Sequence, residues 1–128
     1  MRSGNVCKCP FCNPDSEEIL FTNEYCYARY DGYPVSPGHV LVIPFRHYED
    51  YFESFSAEMD AFREMVLQCK CFLDATHHPD GYNVGVNIGT AAGQSVFHVH
   101  IHVIPRYKGD MEDPKGGVRG VIPAKRVY

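Results

Sequence analysis

Residues 98–104 read HVHIHVI. His98, His100 and His102 hold alternate positions, and Val99, Ile101, Val103 and Ile104 lie between and after them. Alternate side chains share one face of a β-strand. The pattern therefore specifies an extended segment with three imidazoles on one face, about 6.6 Å apart, and an aliphatic back turned to a core. A helix would scatter a period of two around its circumference. The strand is expected over residues 97–104, with Pro105 as its stop.

The remaining segments fit around that strand. The first eighteen residues are turn-rich. Residues 19–30 are β-branched and aromatic, interrupted at Asn23-Glu24, which predicts a hairpin. Asp31-Gly32-Tyr33-Pro34 and Ser36-Pro37-Gly38 are turn signals, and residues 39–43 form a strand that Pro44 stops. From Ser56, a plausible cap with Glu58 and Asp60 in the first turn, apolar residues recur at Phe62, Met65, Val66, Cys69, Phe72 and Leu73. That spacing predicts one core-packing helix of about six turns, ending before Pro79. Residues 82–88 read as a strand, 89–95 as a small-residue loop, and 118–122 as a short final strand in a tail that is otherwise loop. Strands joined by short turns outnumber helices. The expected class is α+β, with an antiparallel sheet of about five strands and one long helix.

The 128 residues fit a single domain, 1–128, with an N-terminal segment (1–18) and a C-terminal tail (107–128). No apolar run reaches the length of a membrane span, and the start shows no signal-peptide stretch, so the expected location is cytoplasmic. The formal net charge of −4 argues against a general nucleic-acid binder and leaves room for a small anionic ligand.

Three aligned imidazoles admit three readings: an exposed polar face, a metal site using all three rings, or nucleophilic and acid–base chemistry on phosphate. Histidine suits the last. Its unperturbed pKa leaves a neutral, nucleophilic nitrogen at physiological pH, and a covalent phosphoramidate divides one difficult displacement into two easier ones. Here the chain is recognisable. HVHIHVI, preceded by AAGQSVF, resembles the signature of the histidine triad family, and SPGHVLVIP upstream resembles that family's other block. The resemblance runs from Cys9 to about Arg106.

The resemblance implies roles. His100 is the nucleophile, His102 assists at the α-phosphate, and His39 is a fourth histidine buried beside the triad. Asp31 falls where the family holds ribose hydroxyls. Asn87, Gln94 and Ser95 fall where it contacts phosphate oxygens, and Gly93 lets the backbone approach the anion. It also implies a homodimer with two nucleotide sites.

Cys9-Pro-Phe-Cys12 is a CxxC pair. It precedes any strand, which argues against a thioredoxin-like redox pair. Zinc would need two further ligands. Asp, Glu or another Cys could serve, but His47, just after the 39–43 strand, and His98 are better placed, and Cys7 is a possible substitute. Some histidine triad proteins bind zinc through two N-terminal cysteines, a histidine after the GHVLVIP strand and the first triad histidine, and this chain matches at all four positions. The implied cofactor is a structural Cys2His2 zinc. Cys26, Cys69 and Cys71 read as core or surface residues, and His77 and His78 as helix-end residues.

The expected reaction is attack by His100 on the α-phosphate of an adenosine-type nucleotide, releasing nucleoside monophosphate. The phosphoramidase branch of the family carries a Trp-Pro-Pro-Gly near its end. This chain has no Trp and reads PKGGVRG there, which favours a dinucleoside polyphosphate hydrolase. A phosphoramidase, a nucleotidyl transferase or phosphorylase, and a non-catalytic nucleotide-binding module stay open. Arg106, Lys115 and Arg119 are candidates to reach distal phosphates.

Overall fold

The computed structural model describes residues 8–128, so Cys7 lies outside the described residues. Five strands form one antiparallel sheet: β1 (Phe21–Thr22), β2 (Cys26–Tyr30), β3 (Val40–Pro44), β4 (Gly81–Gly85) and β5 (Ile101–Arg106). Their order is β1-β2-β3-β5-β4. One long helix, α1 (Ser56–His77), crosses one face. No described helix is long and apolar enough to cross a membrane.

The period-2 rule assigns each face. Cys26, Ala28, Val40, Val42, Ile101 and Val103 pack with Phe62, Met65, Cys69 and Leu73 of the helix in the main core. The alternate residues Tyr27, Leu41 and Ile43 face the other way and pack with Phe11 of the N-terminal segment. Cys26 and Cys69 are buried and Cys71 is exposed, as expected of core and surface thiols.

Both ends of α1 bear on the site. Ser56 is not the cap. Phe55 holds that position, and its amide donates to the buried Glu58 carboxylate at 2.7 Å. Glu58 also accepts from Arg46 Nε and Nη2 at 3.0 and 2.8 Å, and that guanidinium lies between the Tyr48 and Phe55 rings. Burial pushes the Glu58 carboxyl up, but these bonds outweigh it and hold the group below its ordinary range. At the other end His78 adopts the left-handed conformation. Gly38, with φ +88°, passes so close to Leu73 and His77 that a Cβ would sit 3.0 Å from the leucine. This contact fixes the turn that leads into His39.

Three boundaries differ from expectation. β4 ends at Gly85, not 88. Residues 117–121 and 123–125 form 3-10 turns where a final strand was expected, because three glycines and a proline break the run. β5 begins at Ile101 rather than 97 and continues through Pro105. Pro105 is tolerated because its carbonyl, which accepts from Ser36 Oγ at 2.6 Å, points away from the β4 ladder, so its missing N–H removes no bond there. Residues 98–100 join no strand, with a bend at His98, and the Val99 amide bonds the Tyr48 carbonyl at 2.8 Å.

Candidate active site

The face of the sheet opposite α1 carries a cavity of about 530 Å³. Strand register builds it. Arg29 on β2, Leu41 on β3 and His102 on β5 are direct partners in one row. Asp31 and His39, each two residues away on its own chain segment, form the next row, joined by the bond from the Asp31 amide to the His39 carbonyl. His100 enters from the segment before β5. The loop before that segment contributes Asn87, Gly93 and Ser95, and Gly93, with φ +95°, makes the reversal that a Cβ would strain.

Each ring nitrogen's partner fixes its tautomer. The Val35 amide donates to His39 Nδ1 at 3.1 Å, so His39 carries its proton on Nε2. That Nε2 lies 2.9 Å from His102 Nδ1 and 3.4 Å from Asp31 Oδ2. It donates to His102, whose own proton therefore sits on Nε2. His100 is set the opposite way. Its Nδ1 donates to the His98 carbonyl at 2.8 Å, which leaves Nε2 with its lone pair. The two rings stand 5.2 Å apart, centroid to centroid. The cavity thus holds one unprotonated nitrogen and one neutral N–H donor side by side. Burial, with His100 and His39 beside it, depresses the His102 pKa to about 4. Burial also lowers that of His39, against the opposing pull of Asp31.

His98 does not face the cavity. It is fully buried, and its Nε2 donates to the Pro44 carbonyl at 2.8 Å. That carbonyl is available because β5 has not yet begun at this level. The bond leaves Nδ1 as an acceptor, 3.4 Å from Cys9 Sγ, 3.6 Å from Cys12 Sγ and 3.0 Å from His47 Nδ1. Cys12 Sγ lies 3.2 Å from His47 Nδ1. All four ligand atoms lie within 4.8 Å of one another. Bond lengths of about 2.3 Å for Zn–S and about 2.0–2.1 Å for Zn–N give tetrahedral edges of about 3.5 Å (S to N) and about 3.3 Å (N to N). The observed separations cluster around those edges, and the Pro44 bond is the outer-shell contact that orients a ligating imidazole. The set fits a closed Cys2His2 zinc centre. Asp31, His39 and His102 also converge, but there His39 presents its N–H rather than a lone pair.

The two clusters adjoin. Phe11, between the cysteines, places its ring 5.1 Å from that of His100, and its carbonyl accepts from the buried Tyr27 hydroxyl at 2.7 Å.

The expected site residues mostly converge. His39, His100, His102, Asp31, Asn87, Gly93 and Ser95 line the cavity, while Cys9, Cys12, His47 and His98 form the thiol–imidazole cluster. Gln94 is buried and lies outside the lining. Its Oε1 accepts from the Gly89 amide at 2.8 Å, and its Nε2 donates to the Glu49 and Val96 carbonyls at 3.0 and 3.2 Å. It holds the loop in shape from behind. Arg106 is engaged by Asn83 and Asp110, and Arg119 by the carbonyls of Lys125 and Arg126. Neither these nor Lys115 lines the cavity. The sequence reading missed Arg29, Tyr33 and Val35. Arg29 stands on the same strand face as Asp31, which was the available signal.

The family profile described as the HIT domain matches residues 14–109. The chain belongs to the HIT domain family. The AP-4-A phosphorylase of Mycobacterium tuberculosis is 41% identical over 96 residues, 72% of this chain and 48% of that protein. The bis(5'-adenosyl)-triphosphatase of Saccharomyces cerevisiae is 35% identical over 97 residues, 73% and 46% respectively. The chain spans about half the length of both. A Zn-bound histidine triad family protein from Mycobacterium smegmatis superposes with a TM-score of 0.73 at 30% identity, over 83% of this chain and 80% of that one. The fold is thus the α+β HIT fold, with its five-stranded antiparallel sheet and one long helix.

Proposed function

We propose that this HIT domain is a nucleotide-processing enzyme that cleaves dinucleoside polyphosphates at an α-phosphate through a nucleotidyl-His100 intermediate. The observation that carries this reading is the hydrogen-bond geometry that assigns opposed tautomers to His100 and His102. His100 Nε2 attacks the α-phosphorus, a P–N bond forms, and the P–O bond to the leaving phosphate breaks with its electron pair on oxygen. The His102 Nε2–H donates a hydrogen bond to that oxygen. The modified His100 ring gains positive charge, which its Nδ1–H shares with the His98 carbonyl. Water then attacks the same phosphorus and gives up a proton to solvent, the P–N bond breaks with its electron pair on nitrogen, nucleoside monophosphate leaves, and His100 is neutral again.

Asp31, beside His39 and with its Oδ1 accepting from the Tyr33 amide at 2.9 Å, is assigned to the ribose hydroxyls. Asn87 and Ser95 are assigned to the phosphate oxygens. Cys9, Cys12, His47 and His98 would hold a structural zinc. The working form is taken to be a homodimer, as the family resemblance implies. The names of the two dinucleotide-processing relatives support the substrate class.

The test is chromatographic product analysis with diadenosine tetraphosphate and, separately, adenosine phosphoramidate. Wild-type protein should release nucleotide from the dinucleotide. His100→Ala should abolish turnover while retaining nucleotide binding. Turnover by His100→Ala refutes the nucleophile, and release from the phosphoramidate alone refutes the substrate class.

A further inference from the structure

Among the described residues that line the cavity, Arg29 is the sole lysine or arginine. Its side chain is 16% exposed. Nη2 donates to Glu18 Oε2 at 3.2 Å and Nε to the Tyr30 carbonyl at 3.3 Å, and Nη1 takes no partner among the described residues. The end of the fork, Nη1 with the second Nη2 hydrogen, is therefore available to a ligand.

Where a nucleotide would meet this fork follows from register. Arg29, Leu41 and His102 are successive partners across three strands, so about 10 Å separates the outer two backbones. With the α-phosphate at His100 and His102, the ligand's other end lies over Leu41 toward Arg29. That end belongs to the base rather than to a phosphate chain, for two reasons. Leu41 and Phe11 are packed together as an apolar surface, which suits the face of a base. Arg29 is also flanked by two carboxylates, Glu18 in direct contact and Asp31 two residues along the same face. A polyphosphate routed this way would meet both, and a neutral base meets no such repulsion.

We infer that Arg29 reads the base, and that its fork makes the cavity favour 6-oxopurine nucleotides (guanine, hypoxanthine) over adenine nucleotides. A 6-oxopurine presents two adjacent acceptors, O6 and N7, which match a guanidinium fork. Adenine places an amino donor where O6 would be, so donor faces donor. This inference rests on the nucleotide reading above and extends it to the base.

The experiment is isothermal titration of wild-type, Arg29→Leu and Arg29→Lys proteins with GMP, IMP and AMP, which the enzyme does not turn over. Wild type should bind GMP and IMP about 5- to 150-fold more tightly than AMP. Both variants should lose that preference with AMP affinity little changed, because lysine keeps the charge and loses the fork. Thermal melting checks that the variants fold. Equal wild-type affinities overturn the inference and leave the nucleotide reading standing. So does a loss common to all three ligands in Arg29→Leu that Arg29→Lys restores, which would mark a phosphate contact. If none of the three binds, both readings are overturned.

Discussion

Replacing Cys12 by Ser tests the thiol–imidazole cluster as a metal centre. The substitution removes a soft ligand with little change of volume. A metal bound there would cross-link Cys12 to His47, 35 residues apart, and His47 to His98, 51 apart. Loop-closure entropy assigns each link about 4 kcal/mol. The two share a ligand, and the side chains keep part of their contact without metal, so the expected loss is nearer one link than two: about 4 kcal/mol. For a domain of this size that corresponds to a fall in melting temperature of about 10–20 °C. The assay is zinc content by mass spectrometry with calorimetric melting, before and after a strong chelator. Wild type should carry one zinc per chain and melt lower after chelation. Cys12→Ser should carry none and ignore the chelator. Nucleotide affinity should fall with the metal too, because Phe11 rides on the same loop and leans on His100. Unchanged zinc in Cys12→Ser, or a wild-type melt indifferent to chelation, would refute the reasoning.

Acid should weaken the fold through His102. Its folded-state pKa of about 4 lies below the ordinary value of 6.5, so the unfolded chain takes up a proton that the native site refuses. Stability should therefore rise with pH from about 4 to about 6.5 and level off above, a contribution of about 3 kcal/mol at most. His102→Asn should show a shallower acid limb in denaturation at several pH values, and an unchanged limb would contradict the assignment. Gln94→Leu should strand the Gly89 amide and two carbonyls, cost about 1–3 kcal/mol, and weaken nucleotide binding by loosening the loop with Asn87 and Ser95. A variant as stable as wild type would deny Gln94 that task.

The parts of the site that alternate along strands were legible in the sequence. The shared face of His100 and His102 follows from period two, whereas the place of His39 beside them came from the family resemblance. The thiol–imidazole cluster was legible only through resemblance, because spacing cannot say which of several histidines a CxxC loop will meet. Two features were hidden for a different reason. The Arg46–Glu58 pair joins the segment bearing His47 to the first turn of α1, and Gln94 serves the loop from behind. Both depend on side chains reaching across twelve and forty-five residues respectively, a distance at which sequence pattern carries no direction. The start of β5 was placed early because alternation persists through residues 98–100, although no neighbouring strand pairs them.

The protons in this site are set from the main chain. At one end the Val35 amide orients His39 and, through it, His102; at the other the His98 carbonyl orients His100. A peptide group is the same whatever side chain it bears. Substitutions on the cavity wall can therefore change what is bound without disturbing which nitrogen attacks and which donates. At position 35 proline alone would remove the amide hydrogen. Such a domain can diversify its ligands while keeping one chemistry, and its capacity to vary lies in the side chains while its mechanism is held by the backbone.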